Sequence, residues 1–228
     1  MHVSMQVRRS IALFVVLAAA SACSDATSAP RTAERPGFDI QALQPELSRG
    51  SGGWGSSTSN EDGENVLTFR IDPNVARTYT FGENWIYFPA RSICDPATSG
   101  YGTALWDTPC APLNQPINVT VKWSSKGGYS FVTFSPQLRF VPADARSPFR
   151  WVILSLHAQK KLHEQDVYSI LYNCDTDGWV DEAPSDATLR AWLDPLHNSV
   201  VRRIKHFSGY MVAAARSSGI GGIDDAAY

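Results

Sequence analysis

The segment INVTVKW, residues 117–123, alternates apolar and polar positions without a break. Ile117, Val119, Val121 and Trp123 fall on one face, and Asn118, Thr120 and Lys122 on the other. A period of two marks a strand with one buried face. SSKGG then supplies a turn, and YSFVTF returns. Similar short runs recur as VLTFRI, TYTF, WIYFPA, LRFVP, FRWVILSL and YSILYN, with Gly, Pro, Asn and Ser between them. No 3.6-residue period of helical length competes, although ATLRAWLD at 187–194 reads as a short helix. The pattern predicts an all-β, antiparallel β-sandwich over residues 64–216.

The last run, SVVRRIKHFSGYMVA, reads as one continuous strand. On that reading Val200, Arg202, Ile204, His206, Ser208, Tyr210 and Val212 share a face, with Phe207 buried on the opposite one. Arg202, Arg203 and Lys205 then read as a charged or solvated strand surface.

Both ends of the chain differ from this middle. Residues 1–22 carry Arg8 and Arg9, an apolar stretch from Ile11 to Ala20, and small residues before Cys23. That is an export signal. A cysteine directly after Ala20-Ser21-Ala22 resembles the bacterial lipobox, which implies acylation of Cys23 and a lipid-anchored protein at the membrane periphery of the cell envelope. Residues 23–63 are rich in Ser, Gly, Pro and charge, the composition of a disordered tether. Residues 217–228 read as a flexible tail.

Of the 228 residues, 43% are hydrophobic and 18% charged. Loss of residues 1–22 removes two arginines and no acid, leaving 18 basic against 22 acidic residues, a net of −4. That balance offers no footprint for nucleic acid. The expected partners are the membrane, through the lipid, and a protein of unidentified chemistry. No cofactor is expected.

An exported chain can form disulfides. Cys94 and Cys110 bracket a loop, DPATSGYGTALWDTP, that has little else to hold it, so they are the expected pair. Cys174 is left as a buried free thiol. No cysteine pair has zinc-knuckle spacing, and no metal site is expected. Asn173, Asp175, Asp177, Gly178 and Asp181 match part of a calcium loop, but its bidentate twelfth position is Pro184, so an acidic hairpin turn is the simpler reading. Trp85, Trp123 and Trp151 read as core. Trp106 and Trp179 fall in loops and would be exposed platforms under an alternative carbohydrate-binding reading. An extracytoplasmic enzyme with a loop-borne site is the other alternative, although G-x-S-x-G and HExxH are absent.

YTFGENWIYFPARSIC and FSPQLRFVPADARSPFRWVILSLH resemble the early and later stretches of the ZU5 domain family, known from netrin receptors and ankyrins. HFSGY resembles the last strand of its self-cleaving members, and the resemblance spans about residues 66–216. It implies a β-sandwich and backbone cleavage between Phe207 and Ser208. Ser208 would be the nucleophile, His206 the base, and Phe207 the residue whose carbonyl is attacked. Such chemistry acts once, on the chain itself. It also needs a hydrogen-bond donor for the oxyanion, which spacing does not locate. The bland alternative, a histidine and a serine filling a strand, stays open.

Overall fold

The computed structural model describes residues 57–59, 64–143, 147–174 and 178–215. The signal, Cys23, most of the tether and the tail lie outside the described residues, as does the side chain of Cys174. The strands are β1 (Ser57–Ser59), β2 (Asn65–Ile71), β3 (Arg77–Phe81), β4 (Asn84–Phe88), β5 (Ile117–Lys126) and β6 (Tyr129–Ser135). After them come β7 (Val152–His157), β8 (Val167–Cys174), β9 (Gly178–Val180), β10 (Trp192–Asp194), β11 (Ser199–Ile204) and β12 (Gly209–Ala215). They form two antiparallel sheets, a seven-stranded one in the order β1-β2-β5-β6-β12-β8-β9 and a five-stranded one in the order β10-β11-β7-β4-β3. The sheets pack face to face as a β-sandwich.

The alternation that marked β5 does what it predicted. Val119 and Val121 are buried, Asn118 and Lys122 exposed, and Trp123 packs half-buried against the core. Phe69, Val132, Phe134 and Ile170 from the larger sheet meet Ile86, Leu154, Val200 and Ile204 from the smaller in one apolar cluster. β7 is buried on both faces because Tyr87, Trp151, Ile153 and Val201 form a second cluster, with Trp85 and Trp192 packed against it.

Four sequence readings are corrected. Ser57–Ser59, within the expected tether, pairs with β2 as an edge strand. The stretch 187–194 is a 3₁₀ turn (Ala187–Leu189) followed by β10, whose Leu193 pairs with Val200. LRFVP forms only single bridges, at Arg139 and Phe140.

The fourth correction matters most. Residues 199–213 are not one strand. β11 ends at Ile204 in the five-stranded sheet, and β12 begins at Gly209 in the seven-stranded sheet. Residues 205–208 carry the chain between layers that stand about 10 Å apart in a sandwich. The segment from Leu138 to Phe140 runs antiparallel beside them. Phe207 N donates to Leu138 O at 2.7 Å, Phe140 N donates to Lys205 O at 2.8 Å, and Arg139 bridges His206. The crossing shifts the side-chain parity. Ile204, Phe207, Tyr210 and Val212 all join the same core, so Phe207 does not occupy an opposite face. Gly209 sits in a close approach rather than at a bend: a Cβ there would lie 3.2 Å from Asn173 Cβ, which would have to give by a few tenths of an ångström.

Candidate functional site

The crossing segment holds His206, Phe207 and Ser208, and distant parts of the chain converge on it. The basic cluster beside it is not a solvated face. Arg202 is wholly buried and Arg203 and Lys205 nearly so. Their position explains this. Arg202 shares the inward side of β11 with Val200 and Ile204, where a cation needs a partner. It donates to Glu182 Oε2 and to the Ile170 carbonyl, and its Nε donates to the Arg203 carbonyl at 3.0 Å. Arg203 lies over the Trp151 ring at 5.1 Å and donates to Thr188 Oγ1. Lys205 Nζ is shared by Asp107 at 2.7 Å and Asp186 at 2.8 Å.

Glu182 stands in the turn after β9, held there as its carbonyl accepts from the Ser185 and Asp186 amides. Burial alone would raise its pKa. The Arg202 charge and the contact with His206 outweigh that and bring it down to about 2. Its second oxygen, Oε1, lies 3.5 Å from His206 Nε2, within ion-pair reach but too far for a hydrogen bond, and Nε2 is buried with no hydrogen-bond partner among the described residues.

The His206 ring is wholly buried in an aromatic cage. Trp106 stacks on it at 3.6 Å and 12°, and Tyr172 meets it edge-on at 5.1 Å. Tyr210 donates to the His206 carbonyl. The other ring nitrogen, Nδ1, lies 3.3 Å from the Tyr101 hydroxyl oxygen.

Tyr101 donates its phenolic hydrogen to the Phe207 carbonyl. Both Tyr101 and Trp106 come from the loop closed by the Cys94–Cys110 disulfide, whose Cα atoms are 5.6 Å apart, as the loop composition predicted. Buried Arg139 grips the same loop from below. Its Nε donates to Ser99 O at 3.1 Å, and Nη1 donates to Leu105 O and Thr108 O at 2.8 Å each.

The Phe207–Ser208 peptide is therefore clamped on both sides. The Phe207 ring stacks on Phe134 at 4.5 Å and meets Phe88 and Phe140 edge-on. The Ser208 carbonyl accepts from Phe134 N at 3.2 Å, and Ser208 Oγ donates to the Asn173 carbonyl at 2.6 Å. His206 and Ser208 are therefore not same-face neighbours of one regular strand, and the side chains around the peptide are linked as a chain of contacts: Arg202, Glu182, His206, Tyr101 and the Phe207 carbonyl. Local spacing could not reveal Tyr101, Glu182 or Arg139. Only the cysteines bracketing Tyr101 hinted that its loop is held in place.

The other candidates fare differently. Trp106 is buried against His206 rather than exposed, because the disulfide loop folds inward. Trp179 is half-buried in β9, edge-on to Phe131 at 5.4 Å. No platform of paired tryptophans forms from them. β8 and β9 pair antiparallel, with Cys174 opposite Gly178, and the acidic residues Asp175 and Asp177 between them lie outside the described residues. Asp181 accepts hydrogen bonds from Ser169 and the Ala183 amide, and no cluster of metal-ligating residues occurs among the described residues. Among the described residues a cavity lined in part by Trp106, Trp151, Arg203 and Lys205 measures about 10 Å³, room for about one water.

No family model, curated protein or solved structure matches the chain.

Proposed function

We propose that this chain is a lipid-anchored protein of the bacterial cell envelope whose ZU5-like sandwich is an interaction module that breaks its own backbone between Phe207 and Ser208. The export signal and Cys23 support the anchor. The observation that carries the cleavage reading is the Tyr101 hydroxyl on the Phe207 carbonyl, beside a buried histidine and one residue before a serine. It supplies the donor that the motif alone lacked.

In the resting arrangement the Ser208 hydroxyl donates to Asn173. Rotation about χ1 releases it toward the Phe207 carbonyl carbon, where attack closes a five-membered ring. His206 takes the hydroxyl proton, and Tyr101 stabilises the oxyanion. The proton passes to the Ser208 nitrogen as the C–N bond breaks, leaving an ester and a free amine. Water then hydrolyses the ester. The products are residues 23–207 and the 21-residue peptide 208–228. The peptide stays seated between β6 and β8, because β12 pairs with both.

Intact-mass analysis of the purified wild type beside Ser208→Ala tests this. Two fragments that separate only in denaturant, absent from Ser208→Ala, are expected. A folded wild type of full mass would reduce the site to an inert polar staple between the sheets. Membrane association lost in Cys23→Ser tests the anchor.

A further inference from the structure

We propose that Glu182 is the positioning residue for this reaction: it holds His206 in the tautomer that carries its hydrogen on Nε2 and leaves Nδ1 free to take the Ser208 proton. The inference rests on the cleavage reading above.

Both oxygens of an ionised carboxylate are acceptors only. Glu182 Oε2 is committed to Arg202, and Oε1 faces His206 Nε2. A lone pair on Nε2 would oppose that oxygen in a dry interior, where the repulsion is poorly screened. A hydrogen on Nε2 removes the conflict. The ring has little freedom to turn over, since Trp106 covers one face and Tyr172 an edge. The remaining nitrogen, Nδ1, then presents its lone pair on the side of Tyr101 and the Phe207 carbonyl.

Of the other groups around the ring, the Tyr101 oxygen, whose hydrogen goes to the Phe207 carbonyl, faces Nδ1 as an acceptor and favours the opposite tautomer, but it is neutral and the full charge of the Glu182 carboxylate outweighs it. Tyr101, Tyr172 and Tyr210 are phenols, and burial pushes the Tyr210 hydroxyl well above its ordinary pKa. Arg202 is tied to Glu182. Arg139 shares a backbone bridge with His206 but spends its guanidinium on the loop carbonyls. Among the described residues Glu182 is thus the one charged group whose side chain faces the imidazole. When Nδ1 takes the proton, the resulting imidazolium lies against a carboxylate that is already ionised, so no proton has to reach Glu182. The arrangement follows the logic of a nucleophile, a histidine and an orienting acid, with the acid contributed by a turn distant from the HFS triplet.

Two measurements test it. Uncut full-length chains, wild type and Glu182→Gln, are refolded from denaturant, and the 208–228 peptide is followed by mass between pH 5 and 9. Glu182→Gln keeps the shape but lets the side chain donate to Nε2, and is expected to slow cleavage by ~100-fold or more, as loss of tautomer control does elsewhere. It should also change the pH profile, which a merely structural defect would not do. Independently, ¹⁵N NMR of Ser208→Ala, which cannot cut, should show His206 protonated on Nε2 near neutral pH. Wild-type cleavage by a folded Glu182→Gln chain, or a His206 ring protonated on Nδ1 alone, overturns the proposal. If Glu182→Gln does not fold, the NMR result decides. If the wild type itself never cuts, the cleavage reading falls, and the ring tautomer still shows whether Glu182 orients His206.

Discussion

Tyr101 donates a hydrogen bond to the Phe207 carbonyl across 106 positions of sequence. The bond ties a disulfide-closed loop to the segment where the chain passes between sheets. Tyr101→Phe removes only the hydroxyl and keeps the ring beside Trp106. Cleavage during refolding should slow by about 10²–10³-fold, the range for loss of one oxyanion donor. Stability should fall by only about 1 kcal/mol. Mass time courses and thermal melts check the two effects separately.

The disulfide should matter to both folding and chemistry. Its loop carries Tyr101, Trp106 and Asp107, each of which touches the crossing segment. Replacing Cys94 and Cys110 together by alanine should cost about 3 kcal/mol. Cleavage should slow as well, because Tyr101 and Trp106 lose part of their hold. Arg139 alone would retain the rest. Urea unfolding and peptide release in oxidised, reduced and substituted protein provide the comparison; an unchanged rate after reduction would mean that Arg139 suffices.

Acid should loosen the sandwich from within. The folded-state pKa of Glu182 is lowered to about 2, and that of Asp186 is also lowered, with Lys205 and Thr188 holding it down against burial. A depressed carboxylate contributes stability that is complete above its unfolded value near 4.5 and fades as pH falls through the folded one. The urea midpoint should therefore drop between about pH 4.5 and pH 2. Arg202→Ala leaves a buried carboxylate unpaired and should cost about 3–5 kcal/mol at neutral pH. That variant should also flatten the acid-side slope, since the main charge favouring ionised Glu182 is gone, while Asp186 keeps its own contribution through Lys205 and Thr188.

Phe207 anchors the crossing. It is wholly buried, with Phe134 stacked on it and Phe88 and Phe140 at its edges. Phe207→Ala should cost about 3–5 kcal/mol. Phe207→Leu should cost less and retain cleavage, since the attacked carbonyl belongs to the backbone. Chemical denaturation and intact mass read the two outcomes.

Alternation along β5 was enough to assign its inward face, and short runs with turn residues between them were enough to expect a two-layer β fold. Residues 187–194 misled because a 3₁₀ turn followed by a three-residue strand mimics helical spacing; pairing of Leu193 with Val200 decides the matter. The Arg202-Arg203-Lys205 cluster misled for another reason. Charge normally marks a wet surface, but here Glu182, Asp186 and Asp107 arrive from elsewhere and make burial tolerable.

The sequence by itself determined the β class, most of the longer strands and the disulfide that closes a loose loop, because each is recorded in the order and type of neighbouring residues. Where the last strand leaves one sheet for the other was decided only by tertiary structure, and so was the meeting of Tyr101, Glu182 and His206. Periodicity reports which way successive side chains point along a single strand. It carries no information about which sheet will accept that strand, and that choice is made by long-range pairing and by the partners a buried charge must find.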